Sequence, residues 1–361
     1  MSGAQRDEGH RDTVGSRGEE AVIAALVAAC PTLPAPAGPG DDCAVLPPVE
    51  GRGVRVITTD ALIEGTHFLA RHPAWALGWK ALAVNLSDVA AMGAVPEGFL
   101  VSVALPRGHA WVAWTAFCAG LGVYAKMNEA VLVGGDTVRG EAIALTITAW
   151  GRSEGAPLTR SGGRTGDVLM VAGHLGRSAV GLTRWLAASP AAWGGEDVGR
   201  LEIVQAELAR DPCLAAQLAP EPPLWAGPWA LAHGATAGMD LSDGLATDLP
   251  RLARASQVTL EVDLDHLPED PALAGVDART RAAGGEDYAF VCLVDPSAEA
   301  AFRARGFAAI GRACGPREAA PATSGETGPA PSSRVLWRDG GRVVEPVTPD
   351  FAHFAVARPR P

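Results

Sequence analysis

Aspartates that could bind a cation stand beside small residues at the ends of several apolar segments of the chain. They are Asp41, Asp42, Asp60, Asp88, Asp136, Asp240 and Asp243. Each of them alone is typical of a turn or a helix cap. Two carboxylates ~4 Å apart repel by roughly 4 kcal/mol at an effective dielectric constant of ~20, so a cluster of them persists only around a positive charge. Because few lysines lie near these segments and hard cations prefer oxygen ligands, the pattern favours Mg²⁺ or Mn²⁺.

A helix predicted over residues 75–92 would present two of the candidate polar side chains together. Asn85 and Asp88 are three residues apart and therefore share one helix face. In residues 239–244 a strand end meets a helix N-terminus. Carboxylates at such a junction can bind cations, and its free backbone N–H groups suit a phosphate.

Short strands precede two further aspartates. A strand predicted over 54–58 leads into Asp60, and a buried strand predicted over 130–133 runs straight into Gly134-Gly135-Asp136. Strands and helices alternate along the chain, which predicts α/β or α+β layers. Strand ends and Gly-rich loops are where such layers build functional sites.

Length, composition and charge restrict the classes of protein and ligand. The chain has 361 residues, of which 48% are hydrophobic and 20% charged, so wholesale disorder is excluded and about two domains are expected. The net charge of −11 argues against non-specific electrostatic binding of nucleic acid. No GxxxxGK[ST] or GxGxxG motif occurs, so a nucleotide would need another phosphate-binding arrangement.

The cysteines and the N-terminal segment predict a cytoplasmic protein without a membrane segment. Six cysteines are present and none forms a CxxC pair, so reduced thiols are expected rather than a zinc or redox site. Residues 1–20 are polar and of mixed charge, unlike a signal peptide. The apolar run 21–30 is well short of the ~18 residues that span a bilayer.

Composition also predicts the domain organisation. Residues 1–17 read as a disordered tail, residues 18–152 as an N-terminal domain, and residues 153–361 as a C-terminal α/β domain. The boundary falls in a stretch rich in Gly, Ser, Pro and Arg. A low-complexity insertion is expected at 315–333.

Six ordered motifs resemble those of the thiamine-monophosphate kinase family, which belongs to the aminoimidazole ribonucleotide synthetase superfamily. They are Gly40-Asp41-Asp42-Cys43-Ala44-Val45, Thr58-Thr59-Asp60 with Glu64-Gly65-Thr66-His67-Phe68, Lys80 to Gly93 (KALAVNLSDVAAMG), Gly134-Gly135-Asp136-Thr137, Asp240-Leu241-Ser242-Asp243-Gly244 and Gly284-Gly285-Glu286-Asp287-Tyr288. They span residues 40–290. A shorter match follows at 350–354, and Pro39 departs from the aliphatic residue usual before Gly-Asp-Asp.

The resemblance implies a fold and an activity. The fold is a two-domain aminoimidazole ribonucleotide synthetase-like α/β (α+β) fold. Its N-terminal domain, residues 18–152, would bind ATP and Mg²⁺ and dimerise through a mixed sheet, and its C-terminal domain would be α/β. The activity is ATP-dependent phosphorylation of thiamine monophosphate to thiamine diphosphate by a homodimer that uses several Mg²⁺ ions. No covalent nucleophile is evident in the sequence, so direct in-line transfer is expected.

The resemblance also implies roles for individual residues. The expected Mg²⁺ ligands are Asp42, Thr58, Thr59, Asp60, Asp88, Asp136 and Asp240, with Asp243 binding a further ion. The expected ATP contacts are Gly135, Asp136, Arg160 and Ser242. The expected contacts to thiamine monophosphate are His67, Glu286 and Phe351. Among these, Asp88, Asp136 and Arg160 are expected to act in catalysis.

Two alternatives compete with this interpretation. Another enzyme of the superfamily, such as aminoimidazole ribonucleotide synthetase or a selenophosphate synthetase, would share the ATP chemistry but not the acceptor. Selenophosphate synthetases carry an N-terminal Cys or selenocysteine near a Lys, and the related hydrogenase maturation factors end in Cys, but neither feature occurs here. A non-enzymatic Ca²⁺-binding protein would need an EF-hand loop or Asp-rich repeats, and the sequence has neither.

Overall fold

A computed structural model describes most of the two predicted domains. The described residues are Thr13, Arg17, 19–32, 53–188, 200–315 and 335–349. The predicted tail except Thr13 and Arg17, the predicted insertion except Gly315, and the site candidates Asp41, Asp42 and Phe351 lie outside them.

Four strands form the first sheet, in the order β1-β4-β2-β3. Their bounds are Val54–Ile63 (β1), Val95–Leu105 (β2), Val131–Arg139 (β3) and Ala144–Ser153 (β4). Strand β4 is antiparallel to β1 and β2, whereas β2 and β3 are parallel. Among the described strands, β1 and β3 are therefore the two outer strands of this mixed sheet.

Strand β3 continues through Gly134-Gly135-Asp136, where the glycines had predicted the strand's end. Gly135 pairs with Val101 on β2. A Cβ atom on Gly135 would lie 1.9 Å from the carbonyl oxygen of Val101, so glycine permits a close backbone approach there and does not mark a turn. Strand β1 likewise extends beyond Asp60, because β4 pairs with it along its whole length.

Three helices pack on the first sheet. Their bounds are Glu19–Ala29 (α1), Ala74–Ala91 (α2) and Trp111–Met127 (α3). Helix α2 buries apolar residues such as Leu82 and Leu86, each contributing about 1.5–3 kcal/mol, and packs against both α3 and the sheet. It ends before Gly93, whose φ of +74° suits a residue that follows a helix.

The second sheet has seven strands in the order β11-β10-β7-β9-β5-β8-β6. Their bounds are Val168–Ala172 (β5), Ala235–Leu241 (β6), Thr259–Asp263 (β7), Ala289–Val294 (β8), Ala308–Cys314 (β9), Val335–Asp339 (β10) and Arg342–Val344 (β11). Most pairs are antiparallel, and β7 with β10 is parallel.

The helices that accompany the second sheet are mostly short. They are Arg177–Ala187 (α4), Arg200–Arg210 (α5), Pro212–Leu218 (α6), Ala226–Ala232 (α7), Leu245–Ala255 (α8), Ala278–Ala283 (α9) and Glu299–Arg305 (α10). With the first sheet they confirm the predicted α/β fold of two sheet-and-helix units. Over the described part of the chain, no helix is long and apolar enough to cross a membrane.

Helix α2 joins the two units. It contacts α7 and β6 of the second unit as well as its own sheet. A Cβ atom on Gly227 of α7 would lie 1.8 Å from the carbonyl oxygen of Ala90, so the two helix backbones touch directly. Because α2 is held from both sides, polar side chains on its C-terminal half lie at the boundary between the two units.

Candidate active site

Helix α2 and strand β1 bring three of the predicted side chains together. The hydroxyl of Thr58 donates a hydrogen bond to Oδ2 of Asp88 at 2.7 Å. The backbone N–H of Asp60 donates to Oδ1 of Asn85 at 3.0 Å. Asn85 and Asp88 therefore face β1 together, as their spacing predicts.

A carboxylate of the second sheet approaches the same helix face. Asp240 lies near the end of β6 and is buried, and its Oδ2 accepts a hydrogen bond from the hydroxyl of Ser87 at 2.8 Å. Burial, together with the charge of Asp88, raises the pKa of Asp240 to about 8. The same two causes raise the pKa of Asp60 to about 6. Asp60, Asp88 and Asp240 thus form an acidic cluster whose members repel one another.

A cleft of about 250 Å³ opens beside this acidic cluster, between the two units. Thr58, Asp88, Asp240 and Arg160 line it together with apolar side chains. Burial raises the pKa of Asp88, whereas the Thr58 hydrogen bond and the charge of Arg160 oppose the rise. Four predicted site residues therefore share one cleft, with cationic and anionic groups on its walls.

The donor set of the acidic cluster suits a hard divalent cation. Carboxylates that are buried and mutually repulsive gain from a cation placed among them, and oxygen is the ligand atom that Mg²⁺ prefers. In the described ranges, no three His, Cys, Asp or Glu side chains converge closely enough to hold a metal on their own. Asp42, a further predicted ligand, lies outside those ranges.

The loop before α8 carries the predicted residues Ser242 and Asp243. Asp243 Oδ2 forms an ion pair with Arg251 Nη1 at 2.8 Å, and its N–H donates to Asp248 Oδ2 at 2.9 Å. Asp248 also accepts from Arg251 at 2.7 Å, and burial raises its pKa to about 6. The sequence reasoning missed Asp248 and Arg251, although an acidic residue in the first turn of a helix is a recognisable signal.

Asp136 lies at the other edge of the first sheet from Asp60. Asp60 pairs with Ile147, Ile147 with Val101, and Val101 with Gly135, so one row of residues crosses the whole sheet. Three strand spacings of ~4.8 Å place the ends of this row roughly 14 Å apart. Within one protomer, therefore, the fold does not bring exposed Asp136 to the acidic cluster.

Thr59 is turned away from its two neighbours on β1. Successive strand residues face opposite sides, so Thr59 lies on the other face from Thr58 and Asp60. Its hydroxyl donates to the carbonyl oxygen of Ile147 at 3.1 Å and accepts from Thr148 at 3.1 Å. The fold does not bring this hydroxyl to the acidic cluster.

The two described substrate candidates lie in loops near the unit boundary. His67 follows β1, and its Nδ1 accepts the N–H of Ile63 at 3.1 Å, so a neutral imidazole carries its proton on Nε2. Glu286 precedes β8 and forms an ion pair with Lys80 of α2 at 2.9 Å. The ammonium of Lys80 therefore faces the one carboxylate predicted to contact substrate.

Comparison with known proteins identifies the chain's relatives. Residues 40–153 match the family described as AIR synthase related protein, N-terminal domain, and residues 164–319 match the corresponding C-terminal domain. Thiamine-monophosphate kinase of Caulobacter vibrioides is 36% identical over 281 residues, which cover 74% of this chain and 74% of that protein.

Solved structures of thiamine-monophosphate kinases share the fold of this chain. Thiamine-monophosphate kinase from Stenotrophomonas maltophilia K279a superposes with a TM-score of 0.67 at 32% identity, covering 82% of this chain and 92% of that one. The complex of AaThiL with AMPPCP and TMP superposes with a TM-score of 0.66 at 27% identity, covering 81% and 85%. Both family domains, the identity over most of the chain and the shared fold agree, and the chain belongs to the thiamine-monophosphate kinase family.

Proposed function

We propose that this protein transfers the γ-phosphoryl group of ATP in line to thiamine monophosphate, giving thiamine diphosphate and ADP. The observation that carries the proposal is the acidic cluster of Asp60, Asp88 and Asp240 beside Arg160, in an open cleft between two units of a chain from this family. Phosphoryl transfer asks a protein mainly for positioning and charge neutralisation. Two polyanions can approach such carboxylates only when cations accompany them.

Mg²⁺ is the cation that the cluster suits. Asp60, Asp88, Asp240 and the Thr58 hydroxyl would each supply an oxygen ligand to one of several Mg²⁺ ions, with Asp42 and Asp243 as further predicted ligands. Bound there, Mg²⁺ would neutralise charge on the phosphates of both substrates. The raised pKa values of Asp60 and Asp240 support this assignment, because burial and the neighbouring carboxylate charges both disfavour the ionised forms.

The chain's own groups would position the nucleotide. Arg160 supplies a guanidinium on the cleft wall, where it can stabilise charge that develops on the transferred phosphoryl group. Ser242 lies just before the N-terminus of α8, where unpaired backbone N–H groups suit a phosphate. Gly135 and Asp136 remain predicted ATP contacts.

The acceptor would be bound by His67, Glu286 and Phe351. Thiamine is a cationic heteroaromatic whose pyrimidine bears an amino group, so a carboxylate and an aromatic ring both favour it. His67, in the loop after β1, would contact the phosphate of thiamine monophosphate. Phe351 lies outside the described residues, and its stacking role stays a prediction.

A homodimer would complete the site. The exposed strand edges carry apolar side chains, with Ile57 of β1 67% exposed and Val138 of β3 48% exposed. In a two-fold dimer built like a closed barrel, β3 of one protomer would lie beside β1 of its partner. That pairing would bring the strand edge that carries Asp136 beside the partner's strand edge that carries Asp60.

The cytoplasm is the compartment that suits this enzyme. It uses ATP, and the described cysteines, Cys30, Cys118, Cys213, Cys292 and Cys314, are free thiols.

Product analysis tests the function. Purified protein with Mg-ATP should form one thiamine diphosphate and one ADP for each thiamine monophosphate consumed, as measured by chromatography. Formylglycinamidine ribonucleotide, the acceptor of the rival synthetase, should give no ATP consumption above background. Turnover of that nucleotide without any thiamine diphosphate would refute the assignment.

A further inference from the structure

Lys80 is a completely buried lysine in the middle of α2, with 0% relative exposure. Its ammonium donates to Oε1 of Glu286 at 2.9 Å and to the carbonyl oxygen of Gln217 at 3.1 Å. Both acceptors belong to the second unit. A buried ammonium is costly unless it is paired, so this side chain is compatible with the fold only when the two units are docked.

Gln217, at the end of α6, holds the other oxygen of the same carboxylate. Its Nε2 donates to Oε2 of Glu286 at 2.8 Å, and its Oε1 accepts from the hydroxyl of Ser178 at 2.6 Å. Because an ionised carboxylate only accepts hydrogen bonds, Glu286 fixes which end of the amide faces it, and the Ser178 hydroxyl satisfies the other end. Each carboxylate oxygen of Glu286 thus receives one hydrogen bond from a buried donor.

The backbone around Glu286 is equally constrained. Glu286 has a φ of +62°, which is unusual for a residue with a side chain. Its N–H donates to the carbonyl oxygen of Ser242 at 2.7 Å. This hydrogen bond links the backbone of Glu286 to the loop that carries Ser242, a predicted ATP contact.

Glu286 nevertheless stays accessible and charged. Its side chain is 33% exposed, whereas that of Lys80 is 1% exposed, so the carboxylate has an open side that the ammonium lacks. Burial would raise the pKa of Glu286, but Lys80 and Gln217 together hold that pKa below its ordinary value. A carboxylate can accept about four hydrogen bonds, and these two donors leave acceptor positions for a ligand.

We propose that Lys80 and Gln217 are positioning residues that hold the Glu286 carboxylate in one orientation, ready to accept a hydrogen bond from the amino group of the thiamine ring. The inference rests on the proposed function, since it concerns how thiamine monophosphate is recognised. It assigns acceptor recognition to both units at once, because Lys80 comes from the first and Gln217 from the second.

Two variants test this role through the KM for thiamine monophosphate. Gln217→Met removes one hydrogen bond to a charged group and should raise that KM about 10- to 100-fold, with the KM for ATP unchanged. Trp79→Phe is the matched control, because Trp79 Nε1 donates across the same boundary to the carbonyl oxygen of Pro220 at 2.8 Å without touching Glu286. The control should leave both KM values unchanged.

A double variant separates positioning from stability. Lys80→Met removes the ion-pair partner of Glu286 and should raise the KM for thiamine monophosphate, as Glu286→Gln should on its own. Because Lys80 acts through Glu286, adding Lys80→Met to Glu286→Gln should raise that KM no further, whatever the Tm of the double variant. A merely structural role would instead add a further rise in KM in the double variant, and that result would overturn the inference. An unchanged KM in Gln217→Met would overturn it as well. Wild-type protein that forms no thiamine diphosphate would instead refute the proposed function.

Discussion

The Ser87 hydroxyl of the first unit donates a hydrogen bond to Oδ2 of Asp240 in the second unit at 2.8 Å, and both side chains are buried. This hydrogen bond crosses the unit boundary one residue before Asp88, the carboxylate that faces the cleft. It is therefore the contact that fixes Asp240 beside Asp88, and its loss should disturb stability and catalysis together.

Ser87→Ala should destabilise the protein by about 1–3 kcal/mol, because it leaves a buried carboxylate without that donor. Ser153→Ala is the matched control, since the buried Ser153 hydroxyl has no hydrogen-bond partner among the described residues. Urea unfolding measures both free energies. Equal losses in the two variants would show that the Ser87 hydrogen bond contributes nothing specific.

Removal of divalent cations should abolish turnover, and Mg²⁺ should restore it. In the absence of nucleotide, Mg²⁺ should also raise the Tm, because an ion that binds only the folded state stabilises it by mass action. Asp88→Asn should reduce this Mg²⁺-dependent rise in Tm, as followed by differential scanning fluorimetry. Full activity in excess chelator would contradict the metal assignment.

Two inactive variants should complement one another if the dimer completes the site. Asp60→Asn and Asp136→Asn should each be inactive alone. After mixed refolding, half of the dimers are heterodimers with one intact site, so activity should return to about a quarter of wild type. If each site were built within one protomer, the mixture would regain no activity, because every chain would still carry one inactivating substitution.

Local patterns predicted much of the site, and their failures have physical causes. The helical period placed Asn85 and Asp88 on one face, and both side chains contact β1. Glycine usually interrupts strands, so Gly135 indicates a strand end, yet here its missing Cβ admits the backbone of Val101. That requirement arises between strands and leaves no local sequence signal.

Long-range partners were the residues that the sequence could not predict. Lys80 and Glu286 lie 206 positions apart, and Lys80 and the Gln217 carbonyl lie 137 apart. No periodicity connects such positions, because only the docking of the two units brings them together. The Lys80 side chain also lies within an apolar helix, where its position alone indicates neither its burial nor its partner.

The central claim is that the carboxylates meeting across the unit boundary form the catalytic centre, and kcat in Asp88→Asn tests it most directly. Thiamine diphosphate formation should fall by at least about 100-fold, the size of effect expected when a group acting on transition-state charge is lost. The Tm in chelator should stay equal or rise, because the substitution removes charge from a repulsive cluster. A folded Asp88→Asn variant with wild-type kcat would contradict the account.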